Sequence, residues 1–144
     1  MPSDLSQLVL VGEFHFYSPH ELFEHFTVPA NLVRWWPQEA STDPMPGGKY
    51  VFRWPSQGWV LSGAYTSFEP GQHLGFTWSW NHGSEEVKPL QVDIYFLATE
   101  EGSRMSIFHG PFVGEDAKER DGIKEGWIHF AMILAGLRRS TDDA

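Results

Sequence analysis

The sequence contains no cysteine. That absence excludes disulfides, thiolate nucleophiles and cysteine-based metal sites, and a reducing cytoplasm is the compartment expected. No apolar run approaches the roughly 18 residues of a membrane span. Met1 to Gln7 is polar, and no basic segment leads into a greasy one, so a soluble, unexported protein is expected. Positive charge is scarce: ten Lys and Arg stand against nineteen Asp and Glu, for a net charge of −9, and the basic residues are scattered without a run. Neither a nucleic acid nor a membrane surface is an expected partner. The seven histidines, at 15, 20, 25, 73, 82, 109 and 129, lack metal-ligand spacing; there is no His-Glu-x-x-His and no His-x-His, and His20 and His25 stand five apart. No glycine cluster opens a helix after a strand as a phosphate loop does, and no serine sits in a Gly-x-Ser-x-Gly context. The acidic pairs Glu85-Glu86, Glu100-Glu101 and Glu115-Asp116 fall in turn-like segments. No metal, no phosphate cofactor and no committed catalytic pair are therefore expected.

What the chain does have is rings. Its 144 residues, 41% hydrophobic, suit one domain over 1–144 with a core of about 8–139, burying about two-thirds of the unfolded surface. Aromatic content is 15%, with seven Trp and eleven Phe, which implies either a bulky core or a cavity lined with rings. The segment from Asp121 to Arg139 reads as one long amphipathic helix. Ile123, Trp127, Phe130, Leu134 and Leu137 fall on one arc at roughly 100° per residue. So heavy a stripe needs a large apolar surface to cover, and the upstream strands supply one.

In chain order, Leu8 to Phe16 reads as a first strand. Ser18-Pro19-His20-Glu21 carries a capping box with Pro at the first helical position, opening a short helix to about Phe26. A second short helix opens at Pro29 and stops at Pro37, its Leu32, Val33 and Trp36 repeating the spacing of Leu22, Phe23 and Phe26. From Gln38 to Gly48 no periodicity survives, so a loop, a mobile rim, is expected. Five strands follow, Lys49 to Pro55, Gly58 to Glu69, His73 to Asn81, Val87 to Ala98 and Ser103 to His109, joined by hairpin turns. Alternation puts Tyr50, Phe52 and Trp54 on one face with Phe76, Trp78, Trp80, Val92, Ile94, Phe96, Met105, Ile107 and His109. That dry face is the one able to receive the last helix.

Trp35-Trp36, the Pro46-Gly47-Gly48-x-Tyr50 turn, the Gly63…Phe68-Glu69-Pro70…Leu74-x-Phe76-x-Trp78 run and the closing Gly126-Trp127…Leu134…Leu137 resemble the START-like (SRPBCC) superfamily. The branch they resemble is the one named for the activator of the heat-shock protein 90 ATPase, over about Val9 to Leu137. The resemblance implies an α+β helix-grip fold, also called START/Bet v-like: a curved antiparallel sheet of about six strands wrapped around a long C-terminal helix, with two short helices after the first strand and a cavity between sheet and helix. It carries no catalytic motif, since such folds host binders, cyclases and co-chaperones. The sequence departs from the family's pattern after the last strand, where Gly110 directly follows His109 and Pro111 breaks the strand.

The expected function is binding of a small apolar or aromatic molecule in that cavity. Its candidate lining is Trp36, Phe52, Trp54, Trp59, Tyr65, Phe76, Trp78, Phe96, His109, Ile123, Trp127 and Phe130. Taken singly each ring also suits a core; together, stiff rings facing one helix are hard to pack without gaps. His109 is the one ionisable side chain that alternation sends inward, where a neutral imidazole is able to bond a ligand or act as a base; a backbone-bonded histidine at the sheet edge is the plainer reading. Two alternatives stay open. A co-chaperone-like domain would contact a chaperone or another protein through Trp35, which diverges by about 100° from the face Trp36 continues. A cyclase-like enzyme on a polyketide-type substrate would use His109 and Tyr65 as acid and base. Ile128 and Met132 sit nearly opposite the helix stripe, so either a homodimer contact or the N-terminal segment is expected to cover them.

Overall fold

The computed structural model describes residues 7–81, 90–112 and 120–137. Among the described residues, seven strands and three helices follow in the order β1 (Leu8–His15), α1 (Pro19–Thr27), α2 (Pro29–Leu32), β2 (Glu39–Thr42), β3 (Lys49–Trp54), β4 (Trp59–Glu69), β5 (His73–Trp80), β6 (Leu90–Ala98), β7 (Gly102–Gly110) and α3 (Arg120–Gly136). The strands form one antiparallel sheet in the order β1-β7-β6-β5-β4-β3-β2, with α3 laid against the inner face: the helix-grip fold. The expected start of a strand at Val87, the turn at His82-Gly83, the acidic pairs Glu85-Glu86 and Glu115-Asp116, and the helix end at Arg139 lie outside the described residues. No helix among the described residues is long and apolar enough to cross a membrane.

The capping box at α1 forms as read. Ser18 Oγ accepts from Glu21 N at 3.1 Å, while Glu21 Oε1 accepts from Ser18 N at 3.1 Å. Face assignment also follows alternation: Tyr50, Phe52, Trp54, Phe76, Trp78, Val92, Ile94, Phe96, Met105, Ile107 and His109 are all buried on the inner side. The α3 stripe meets them there. Trp127 and Leu134 are fully buried, with Ile123, Phe130 and Leu137 packed half-buried around them. Tyr17 Oη donates to Leu134 O at 2.8 Å, a carbonyl in the last turn of α3 that also accepts from Leu137 N at 3.2 Å.

Three expectations need correction. The sheet has seven strands, not about six, because the segment expected as a mobile rim contains β2. Glu39–Thr42 pairs with β3, Ala40 opposite Phe52, and Thr42 Oγ1 donates to Thr27 O at 2.9 Å. Four residues are too few to display alternation; the ladder offered by β3 recruits them. The loop that follows is pinned as well, since Gly47 N donates to Tyr65 O at 2.8 Å and Tyr65 N to Gly48 O at 2.8 Å. A Cβ at Gly48 would lie 2.0 Å from Asp43 O, and Gly47 has a φ of 82°, which together account for the paired glycines.

The second short helix is only one turn, Pro29–Leu32, after which the chain continues in turns with Trp35 N and Trp36 N both donating to Leu32 O. Because the helix does not reach Trp35, the expected 100° divergence from Trp36 does not apply. Trp35 is neither lip nor surface. It is 3% exposed, stacks on Trp36 with centroids 5.3 Å apart, and donates Nε1 to His25 O at 2.8 Å. Trp35→Phe is therefore expected to cost about 1–3 kcal/mol by removing this buried hydrogen bond, measured by urea denaturation. A surface residue would cost less than about 0.5 kcal/mol.

Candidate functional site

A cavity of about 320 Å³ opens where the inner face of β3, β4 and β5 meets the first two turns of α3. The β3–β4 hairpin places Trp54 and Trp59 directly opposite each other across its turn, and Gln57 in that turn completes this side. Strand β5 adds Trp78 and Trp80, two residues apart and hence on one face. From α3 come Gly122, Ile123, Gly126, Trp127 and Phe130, and Trp36 lies among the rings. The volume is at the small end of ligand pockets, about 300–1,000 Å³. Trp36 is the hub of the packing, in ring contact with Trp35, Phe52, Trp54, Trp78 and Trp127. Trp54 is held by an Nε1 bond to Trp36 O at 3.1 Å.

Of the twelve residues expected to line a pocket, seven do so: Trp36, Trp54, Trp59, Trp78, Ile123, Trp127 and Phe130. The structure places the other five in the packed interior. Phe52, Tyr65 and Phe76 surround, with Phe26, Trp36 and Tyr50, a gap that admits no water molecule. Phe96 packs edge-on against Phe23 and Phe26. Alternation sends all these rings to the same face, but α1 covers one end of that face and α3 leaves a space at the other. Sequence reasoning passed over Gln57, Trp80, Gly122 and Gly126 as lining residues. Trp80 was legible as the third inward residue of β5; the glycines carried no signal until the cavity was known.

His109 is wholly buried and lies one ring away from the cavity. It packs against Trp78, 4.5 Å between centroids, and its Nδ1 accepts from Trp127 Nε1 at 2.9 Å. An indole nitrogen only donates, so the imidazole is neutral with its proton on Nε2, an atom without a hydrogen-bond partner among the described residues. Burial pushes its pKa down to about 3. The bond to an indole replaces the backbone bond expected of the plainer reading, and β7 is an interior strand, not an edge. Burial, with Asp43 second, raises the Tyr65 hydroxyl above the ordinary tyrosine range. No hydrogen bond or ring contact joins Tyr65 to His109 among the described residues.

A second, shallower groove of about 230 Å³ runs between β1 and α3, and Trp127 separates it from the cavity by lining both. Ile128 and Met132, 44% and 70% exposed, stand at this groove. Among the described residues no three His, Asp or Glu side chains converge as a metal site.

Comparison with known proteins agrees with this architecture. None of the curated proteins matches the chain significantly. Among solved structures, MLL2253 from Mesorhizobium loti superposes with a TM-score of 0.83 at 22% identity, covering 94% of this chain and 98% of its own. DynU16, a protein of the dynemicin biosynthetic locus, gives 0.78 at 20% identity over 94% of this chain and 47% of its own. PFC0360w, an HSP90 activator from Plasmodium falciparum, gives 0.75 at 18% identity over 92% and 95%. At such identities these likenesses speak for the fold alone. The family model described as Activator of Hsp90 ATPase homolog 1-like protein matches residues 17–138. With the helix grip, the Gly47-Gly48 turn and the Trp-bearing last helix all in place, this chain belongs to the Activator of Hsp90 ATPase homolog 1-like family of the START-like superfamily.

Proposed function

We propose that the chain binds one small apolar or aromatic molecule in the tryptophan-lined cavity. The observation that carries this reading is the pair Gly122 and Gly126 in α3. Both lie on the cavity wall, one helical turn apart, and a Cβ added at either would meet nothing within 4 Å. Glycine inside a helix costs about 0.5–1 kcal/mol relative to alanine. Here neither close packing nor a positive φ demands it. Helix stability is given up at two positions where the effect is to keep a space open.

The test separates the space from the fold. Gly126→Ala is expected to raise stability by about 0.5–1 kcal/mol. Gly126→Leu is expected to fill the cavity without unfolding the chain. A screen of lipids, sterols, flavonoids and polyketides, read by tryptophan fluorescence and melting temperature, is expected to find binders of the wild type that Gly126→Leu no longer takes. Binding that survives Gly126→Leu, or a screen that moves neither signal, overturns the reading.

A second reading, a co-chaperone-like contact, is favoured by one feature of the outer face. Val9, Val11, Tyr95, Leu97 and Phe108 are exposed there on the adjoining strands β1, β7 and β6, with Val9 opposite Phe108 and Tyr95 in ring contact with it. If this patch receives heat-shock protein 90, Val11→Lys abolishes co-sedimentation with the purified chaperone and leaves the cavity untouched. A cyclase finds less support, because the acid and base expected of it, Tyr65 and His109, do not meet.

A further inference from the structure

We propose that the cavity selects an organic cation, a quaternary ammonium or similar onium group carrying an aromatic or alkyl substituent. This rests on the reading that the cavity binds a small molecule and names the class it prefers. Six of the seven tryptophans of the chain line this one space. Their planes make a box, not a stack: Trp80 stands at 88° to Trp78 and 70° to Trp59, while Trp36 runs within 28° of Trp78 and 42° of Trp127. Walls that meet near right angles can present several ring faces to one central group. Indole faces are the most electron-rich surfaces the natural side chains offer, and a cation among them is attracted to each.

Nothing on the wall opposes this. Among the described residues, no lining side chain is charged, and Gln57 is the one with a polar group other than an indole N–H. The charged residues of α3 that adjoin the wall in sequence, Asp121, Lys124 and Glu125, are all exposed. A net charge of −9 adds a long-range field that draws cations in. The neighbouring groove is built differently. Its lining is mostly aliphatic and thioether, with Leu10, Met105, Ile107, Ile128 and Met132 beside Glu13, Phe14 and a single indole, Trp127. Stripping water from a cation is expensive, so an aliphatic pocket rejects one. A box of indole faces offsets part of that cost.

The decisive comparison uses benzyltrimethylammonium and its neutral carbon isostere, neopentylbenzene, titrated into the wild-type protein and followed by tryptophan fluorescence. The two have the same shape, so a purely hydrophobic cavity prefers the neutral one. Cation selection predicts that benzyltrimethylammonium binds about threefold tighter or more. It also predicts that the preference persists in about 1 M sodium chloride, where charges are screened beyond about 3 Å. Trp59, 45% exposed at the cavity, supplies the variant. Trp59→Leu is expected to weaken the cation more than the isostere. Equal or tighter binding of neopentylbenzene overturns the cation preference and leaves the cavity reading standing. Failure of both probes to bind overturns both. A preference that vanishes in high salt, or equal loss of both probes in Trp59→Leu, also overturns the proposal.

Discussion

Ending the chain before Gly122 is expected to abolish cooperative unfolding altogether. Removing α3 takes Trp127 and Leu134 from full burial and Ile123, Phe130 and Leu137 from half burial. At about 1.5–3 kcal/mol for each fully buried large side chain, this amounts to about 5–10 kcal/mol. Domains of this size have only about 5–15 kcal/mol in hand. The truncation also removes two buried hydrogen bonds, from the Tyr17 hydroxyl to Leu134 O and from the Trp127 indole to His109 Nδ1. Each adds about 1–3 kcal/mol. Urea denaturation followed by circular dichroism reads the result. A truncated chain that still unfolds in one sharp transition would show that the sheet and α1 hold themselves together, and the helix-grip account of stability would be wrong.

The second large effect is a loss of stability in mild acid that originates at one residue. In the folded chain His109 takes a proton only near pH 3, because burial disfavours the charged ring; in the unfolded chain it does so near 6.5. Its contribution is therefore fully present above pH 6.5. Below that value the unfolded chain binds a proton the folded chain refuses, and stability falls by about 1.4 kcal/mol per pH unit until the folded value near 3. The whole interval is worth about 5 kcal/mol, and the stretch from pH 6.5 to 5, where carboxylates contribute little, about 2 kcal/mol. His109→Gln keeps an acceptor for the Trp127 indole but does not titrate. The difference in unfolding free energy between wild type and His109→Gln should shrink steadily from pH 7 to pH 5, the other histidines cancelling in the subtraction. A difference that is constant over this range would show that His109 titrates alike in both states.

Local signals carried much of the structure because they rest on short-range physics. The capping box at Ser18 and Glu21 needs only four residues and a proline to specify a helix start, and it formed as read. Period-two alternation assigned the buried face of β3, β5, β6 and β7, since successive side chains of a strand must point to opposite sides. The helical stripe from Ile123 to Leu137 stood out because five large apolar residues share one arc, and such an arc has no stable place except against another apolar surface.

What failed to show in sequence depends on partners distant in the chain. β2 is a strand because β3 offers it a ladder, and no property of Glu39–Thr42 alone requires it. Trp35 is buried because the chain leaves the helix after Leu32 and the indole finds His25 O, a carbonyl ten residues earlier. The division between core and cavity is the clearest case. Sequence by itself determined that Phe52, Phe76, Trp54 and Trp78 share one face; only the tertiary structure decided that the first two are packed solid while the second two border a space. Alternation reports direction, whereas a void is the volume left over after the sheet has curved, α1 has covered one end and α3 has crossed the other. That volume is set by all the elements together, which is why Gly122 and Gly126 look like weak points in a helix until the rings across from them are in place.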